Sequence, residues 1–299
     1  MYRIGVDLGG TNIAAGVVDE ENKIVAKMSI PTDLPKSADE IARSIAKLAE
    51  LVCEKADVDM MEVSMIGIGT PGAVNDEGVV ENDANLGFVN IPLRRLVAGK
   101  TGKVVYVGND ANCAALGEQV AGAGKGTDNF IAVTLGTGIG GGVIVDGKLL
   151  TGINFAAGEI GHMCIELDGR ACNCGNKGCF EAYASASALI RDARGVGLEV
   201  SGARDVFEAA QNGNSLAEKV VKNYISYLAV GITNLVNIFQ PDMICIGGGI
   251  AAQGEYLLEP LRDIVAKNRY TKYSSKQTDI CAAVLGNDAG IIGAANLGE

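Results

Sequence analysis

The chain's one histidine, three closely spaced cysteines and two carboxylates fall between Gly158 and Glu181. The stretch reads Gly158-Glu159-Ile160-Gly161-His162, then Cys172, Cys174, Cys179 and Glu181. The spacing His-x9-Cys-x-Cys-x4-Cys supplies four ligands of the kind that close a tetrahedral zinc site. Four protein ligands leave no open position for an activated water, so the expected metal is structural. It would bind one ring nitrogen of His162, and the other nitrogen would need a partner of its own. Such a metal fixes a loop with Glu159 and Glu181 on its flanks. Carboxylates held this way suit a polyol, because one glutamate accepts from two neighbouring hydroxyls. A redox dithiol is the competing reading, but that chemistry uses Cys-x-x-Cys, and the pair here is Cys172-x-Cys174.

Three glycine turns follow strand-like runs: Asp7-Leu8-Gly9-Gly10-Thr11-Asn12, Leu135-Gly136-Thr137-Gly138-Ile139-Gly140 and Gly247-Gly248-Gly249. Without a Cβ, glycine lets backbone N–H groups approach phosphate oxygens closely. Thr11 and Thr137 add hydroxyls, and Asp7 at a strand end is suited to holding Mg²⁺ directly or through water. Two look-alikes fail. Gly136, Gly138 and Gly141 satisfy G-x-G-x-x-G, but a second strand, Val143-Ile144-Val145, follows where a helix is required. Ala123-Gly124-Lys125-Gly126-Thr127 lacks the spacing of a phosphate loop and reads as a connecting turn.

These turns sit in a duplicated framework. Residues 4–19 (IGVDLGGTNIAAGVVD) align without a gap on residues 131–146 (IAVTLGTGIGGGVIVD), and 65–69 (MIGIG) echo 243–247 (MICIG). Each copy predicts a strand, a glycine turn and a second strand. Apolar residues at 41, 45, 48 and 52 predict a helix over 38–56. Further helices are expected at 110–121, opened by Asp110 at or near its N-cap, and at 215–239 and 256–268. At that position the helix dipole favours a charged Asp110. A mixed sheet with helices on both faces, twice over, predicts an α/β protein of two lobes around a cleft. The lobe boundary is expected within 103–121. Residues 1–112 and a C-terminal helix at about 287–299 form a small lobe, and 113–286 a large lobe carrying the metal loop.

The 299 residues suffice for two cores. A net charge of −11 argues against a nucleic-acid surface, which needs a basic stripe. No apolar run reaches the ~18–20 residues of a membrane span. A strand-like segment begins at Tyr2, so no signal peptide is expected. Cys53, Cys113, Cys164, Cys245 and Cys281 sit singly in apolar or helix-like surroundings, as reduced core thiols do. The chain reads as cytoplasmic.

Asp7-Leu8-Gly9-Gly10-Thr11, Gly69-Thr70-Pro71-Gly72, Asn109-Asp110-Ala111-Asn112, Leu135-Gly136-Thr137-Gly138 and the loop from Glu159 to Glu181 together resemble the ROK family of sugar kinases, and more narrowly its bacterial glucokinases. The likeness runs from Tyr2 to the C-terminus. It implies the hexokinase/actin-like (RNase H-like) duplicated fold and ATP-dependent phosphorylation of a hexose at its 6-hydroxyl. Under the resemblance Asp110 is the catalytic base. Asn109, Glu159, His162 and Glu181 contact the sugar, with Gly72 and Asn85 as further candidates. His162, Cys172, Cys174 and Cys179 hold structural Zn²⁺. Asp7, Gly9, Gly10, Thr11, Asn12, Thr137, Gly138, Gly247, Gly248 and Gly249 serve ATP and Mg²⁺. A homo-oligomer, dimer or tetramer, is implied as well. The chain departs from the family pattern at Gly108, where a glutamate is frequent, and at Phe88, where tryptophan is usual. Glucose is the favoured substrate, while mannose, fructose and N-acetylmannosamine kinases share nearly all these motifs. The family's repressors carry a DNA-binding segment, for which a strand starting at residue 2 leaves no room. A non-catalytic sugar sensor would need neither Asp7 nor Asp110. The glycine turns leave the donor open between ATP, another nucleotide and polyphosphate.

Overall fold

The computed structural model describes residues 1–83 and 85–298. The chain divides into two compact units, one of residues 1–126, 142–158 and 284–299, the other of 127–141 and 159–283.

In the first unit β1 (Tyr2–Leu8), β2 (Asn12–Val18), β3 (Ile24–Pro31) and β4 (Val63–Thr70) build most of a five-stranded sheet. A small separate sheet of β5 (Ala73–Val74), β6 (Val80–Asp83) and β7 (Phe88–Ile91) follows. The fifth strand of the main sheet is β8 (Val104–Asn109), giving the order β3-β2-β1-β4-β8. β1 pairs antiparallel with β2 and parallel with β4, so the hairpin half and the crossover half meet at β1. Helix α1 (Ala38–Ala56) carries a Ser37/Glu40 capping box and buries Ile41, Ile45, Leu48 and Val52, the face expected from its period. α2 (Leu93–Thr101) packs with it.

The second sheet repeats the plan. Its strands are β9 (Phe130–Leu135), β10 (Ile139–Val145), β11 (Lys148–Leu149), β12 (Met243–Gly247) and β13 (Asp279–Ala282), in the order β11-β10-β9-β12-β13. β9 stands where β1 stood and β12 where β4 stood, the two echoes read from the sequence. This strand order, repeated, is the duplicated RNase H-like fold of the hexokinase/actin class. The helices of the second unit are α4 (Glu181–Ala184), α5 (Ala186–Gly195), α6 (Ala203–Gln211), α7 (Ser215–Phe239) and α8 (Glu255–Asn268), with α3 (Asp110–Ala121) and α9 (Asp288–Ala294) belonging to the first.

Two expectations need correction. A lobe boundary at residue 112 would cut α3, yet the whole helix lies in the first unit. The reason is its packing on α9, where Gly293 meets the backbone of Cys113 and Gly117 meets that of Ala289. Side chains at those glycines would hold the two helices apart. Glu118 adds a tie, accepting from Ala123 N at 2.9 Å and from Val284 N and Leu285 N at 3.0 and 2.8 Å. The chain crosses to the second unit only after Gly126, inside the turn read as a connector. The C-terminal helix is also shorter than expected, ending at Ala294. Among the described residues no helix is long and apolar enough to cross a membrane.

Candidate active site and metal centre

In the first unit the polar candidates gather at the C-terminal ends of β1, β4 and β8. Asn109, not Asp110, is the N-cap of α3: its Oδ1 accepts from Ala111 N at 2.9 Å and Asn112 N at 3.1 Å. Its Nδ2 donates to Gly72 O at 3.1 Å, which ties the cap to the turn after β4. Asp110 is therefore the first helical residue. Its carboxylate accepts from Ala111 N at 2.8 Å, and that bond lowers its pKa, but burial outweighs it and the net shift is upward. Desolvation thus opposes, and outweighs, the preference for the charged form that the helix start gives Asp110.

Asp7 shares this environment. Burial, and then the charge of Asp110, push its carboxyl up to about 6. Buried anionic oxygens crowded together are what a divalent cation relieves, so Asp7 fits the Mg²⁺ role. Asp83 was not anticipated. It is buried, its Oδ1 accepts from Asn85 N at 2.7 Å, and its Oδ2 has no hydrogen-bond partner among the described residues. Burial is the main cause of its raised pKa, with Asp110 adding to it. A lone Asp beside Asn85 carries no motif, so only the fold reveals it. Asn85 itself lies against Gly10, and Gly9 N donates to Asn12 O at 2.9 Å to close the first glycine turn. Thr11 and Asn12 stand exposed at its tip. A Cβ on Gly108 would meet the tip of the Leu297 side chain, and Phe88 is buried.

The second unit holds the metal candidates. The ligand atoms of His162, Cys172, Cys174 and Cys179 all lie within 4.8 Å of one another. Cys172 Sγ is 3.7 Å from His162 Nδ1, and Cys174 Sγ is 3.6 Å from Cys179 Sγ. A zinc ion about 2.3 Å from each sulfur has tetrahedral edges of about 3.8 Å, so the donor set fits. The Asn176 N–H lowers the exposed Cys174 thiol to about 7. A bound cation would draw the remaining thiols to thiolates. Nδ1 of His162 faces the sulfurs, which leaves Nε2 on the far side of the ring.

Turns and bridges hold this loop in place. Cys172 N donates to Asn176 O at 2.8 Å and Gly178 N to Arg170 O at 2.8 Å. Arg170 N donates to Tyr183 Oη at 2.6 Å, and the Arg170 guanidinium lies 4.5 Å over the Tyr183 ring. At the other end Ile160 is buried over Gly141, placing the exposed Glu159 next to the start of β10. Glu181 connects metal loop and glycine turn. Its Oε1 lies 3.1 Å from Cys172 Sγ and 3.8 Å from His162 Nδ1, while its Oε2 accepts from Ile139 N at 3.4 Å. A Cβ on Gly138 would collide with that carboxylate. Gly138 O also accepts from Gly136 N at 3.0 Å, which closes the turn, and Thr137 is exposed at its tip. Gly248, at φ +82°, packs on Leu135, so the turn after β12 lies beside the turn after β9. Cys53, Cys113 and Cys245 are buried thiols and Cys281 is half-buried, but Cys164 is exposed, contrary to expectation.

A repeated RNase H-like sheet, with carboxylates at the strand ends of one unit and a loop bearing a Cys/His metal-ligand set beside a glycine turn in the other, defines a sugar-kinase-like protein of the hexokinase/actin class. Residues 3–299 match the model of the ROK family. A glucokinase of Thermotoga maritima is 38% identical over 98% of this chain and 96% of its own length. The crystal structure of a ROK hexokinase from Thermus thermophilus superposes with a TM-score of 0.89 at 36% identity, covering 99% of this chain and 97% of that one. A ROK family glucokinase from Streptomyces griseus, in complex with glucose and AMPPNP, gives a TM-score of 0.81 at 36% identity, with 99% of each chain covered. The chain belongs to the ROK family.

Proposed function

We propose that this protein is an ATP-dependent glucokinase, transferring the γ-phosphoryl group of ATP to the 6-hydroxyl of glucose. The half-buried aspartate at the start of α3 carries the reading, because a hydroxyl that attacks phosphorus needs an acceptor for its proton. The glucokinase relatives, and the glucose and AMPPNP bound to the S. griseus enzyme, support the choice of sugar and donor.

In this reading Asp110 orients the 6-hydroxyl and takes its proton late, as the O6–P bond forms and the bond from phosphorus to the departing ADP oxygen breaks. Its raised pKa makes it a better base than an exposed aspartate. Asn109 holds its amide beside the sugar, anchored through Gly72, and Asn85 adds a polar contact. Glu159, Glu181 and His162 Nε2 accept from or donate to ring hydroxyls. The turns at 9–12, 136–138 and 247–249 receive the phosphates and adenosine. Asp7 would hold Mg²⁺, which would supply charge neutralisation for the transferred group, and His162, Cys172, Cys174 and Cys179 would hold Zn²⁺, which would keep the loop in shape. We also propose that the chain self-associates. Support comes from the exposed Ile238, Tyr270 and Tyr273, grouped where Tyr270 N donates to Asn237 Oδ1 at 2.9 Å, and light scattering tests it.

The test is a panel of hexoses mixed with ATP, with ADP release and the site of phosphorylation measured. Glucose 6-phosphate as the main product is expected. Sugar binding with no ADP release above background from any hexose would replace the enzyme with a sensor.

A further inference from the structure

Cys164 lies opposite Cys179 in an isolated antiparallel bridge. Ile165 N donates to Gly178 O and Phe180 N to Met163 O, each at 2.8 Å. These bonds flank the cysteine pair, making it a non-hydrogen-bonded pair. In such pairs the Cα atoms approach to about 4.5 Å and both side chains leave the same face. That separation is within the roughly 4.4–6.8 Å that a disulfide spans. The backbone is thus already set for a bridge. Closure needs side-chain rotation alone: Cys164 Sγ now rests 3.6 Å from Glu166 O, and Cys179 Sγ lies 3.6 Å from Cys174 Sγ. Cys164 is exposed and outside the metal set, while Cys179 is buried and inside it.

We infer that Cys164 and Cys179 form an oxidation site that competes with the metal for the Cys179 sulfur. The oxidant class is a peroxide. Cys164 sulfur attacks one peroxide oxygen, the O–O bond breaks, and water leaves behind a sulfenic acid. Cys179 sulfur then displaces the hydroxyl group and the S–S bond forms; the hydroxide leaves as a second water, taking the Cys179 proton in the metal-free thiol or a solvent proton when Cys179 leaves the metal as a thiolate. Two thiols lose two electrons and one hydrogen peroxide becomes two waters. Cys179 in a disulfide is no longer a thiolate donor, so three donors remain where four closed the site. Glu181 stands two residues beyond Cys179, so loss of the metal frees the segment that carries it. The metal consequence rests on the zinc assignment proposed above; the sulfur chemistry does not.

The experiment uses the full chain, with zinc content measured first in the reduced state. Hydrogen peroxide is then added, free thiols are alkylated, disulfides are mapped by peptide mass spectrometry, and zinc release is followed with a colorimetric chelator. A Cys164–Cys179 disulfide is expected, with zinc released in step and restored by reductant plus zinc. Cys164→Ser and Cys164→Ala should release zinc at least about ten-fold more slowly, since the first oxidised sulfur is gone. Bridging of Cys179 to Cys174 instead, or equally fast release from both variants, would overturn the inference. Reduced protein without zinc would remove the metal assignment alone, and the disulfide map would still decide the sulfur pair.

Discussion

Asp110 and Asp7 are carboxylates kept where water is scarce, and each should behave accordingly. Asp110→Asn keeps the shape and the bond from Ala111 N, so sugar affinity should hold within a few-fold. Turnover should drop at least ~100-fold, the scale of a lost general base, and near-normal turnover would take Asp110 out of the mechanism. Asp7 acts on stability. Its folded value of about 6 lies above the ordinary 3.8. Between those values the folded chain keeps a proton that the unfolded chain has released. Stability of the metal-free protein should therefore fall as pH rises across that window and remain lower above it. The contribution is on the order of 3 kcal/mol at neutral pH. Denaturant titrations at pH 4 and pH 7 should show the difference, and Asp7→Asn should reduce it. An unchanged gap in the variant would assign the pH effect elsewhere.

At the scale of elements, the metal loop and the glycine turn before β10 form one device, joined by Glu181. If the loop binds metal and contacts sugar as proposed, stripping the metal should lower the melting temperature and raise the KM for glucose more than that for ATP. Equal effects on both KM values would separate the loop from the sugar. Gly138→Ala should raise the glucose KM without removing zinc, since its Cβ displaces only the carboxylate. Much of this was legible beforehand. The ligand spacing of the loop is local chemistry, and β1/β9 and β4/β12 show themselves because buried strands repeat an apolar pattern. The α1 face was readable from its period. What escaped depends on contacts distant in the chain. The helix start at 109–110 was readable to within one residue, but the buried Asp83 and the bracing by Tyr183 carry no local signature. The cross-strand seat of Cys164 appears only once residues 163–165 pair with 178–180.

Across the whole molecule the duplication is not a simple tandem. Glu118, nearly fully buried, accepts three backbone N–H groups, two of them from residues 284 and 285. Glu118→Ala should destabilise the protein by about 3 kcal/mol or more, the scale of several lost charged hydrogen bonds and the void left behind. A change under about 0.5 kcal/mol, the range of an ordinary surface substitution, would show that the tie is dispensable. The lobe boundary was misplaced for the same reason: the partner of α3 comes from the far end of the chain, which no window of local sequence displays.

That arrangement has a consequence for synthesis. One face of the N-terminal sheet is covered early by α1, but the other is finished only by α9, so a nascent chain emerging from the ribosome presents that second face of β1, β2 and β4 long before its covering exists. The portion made first would be among the last to reach its native form, and until translation nears its end it would depend on chaperones to stay out of aggregates.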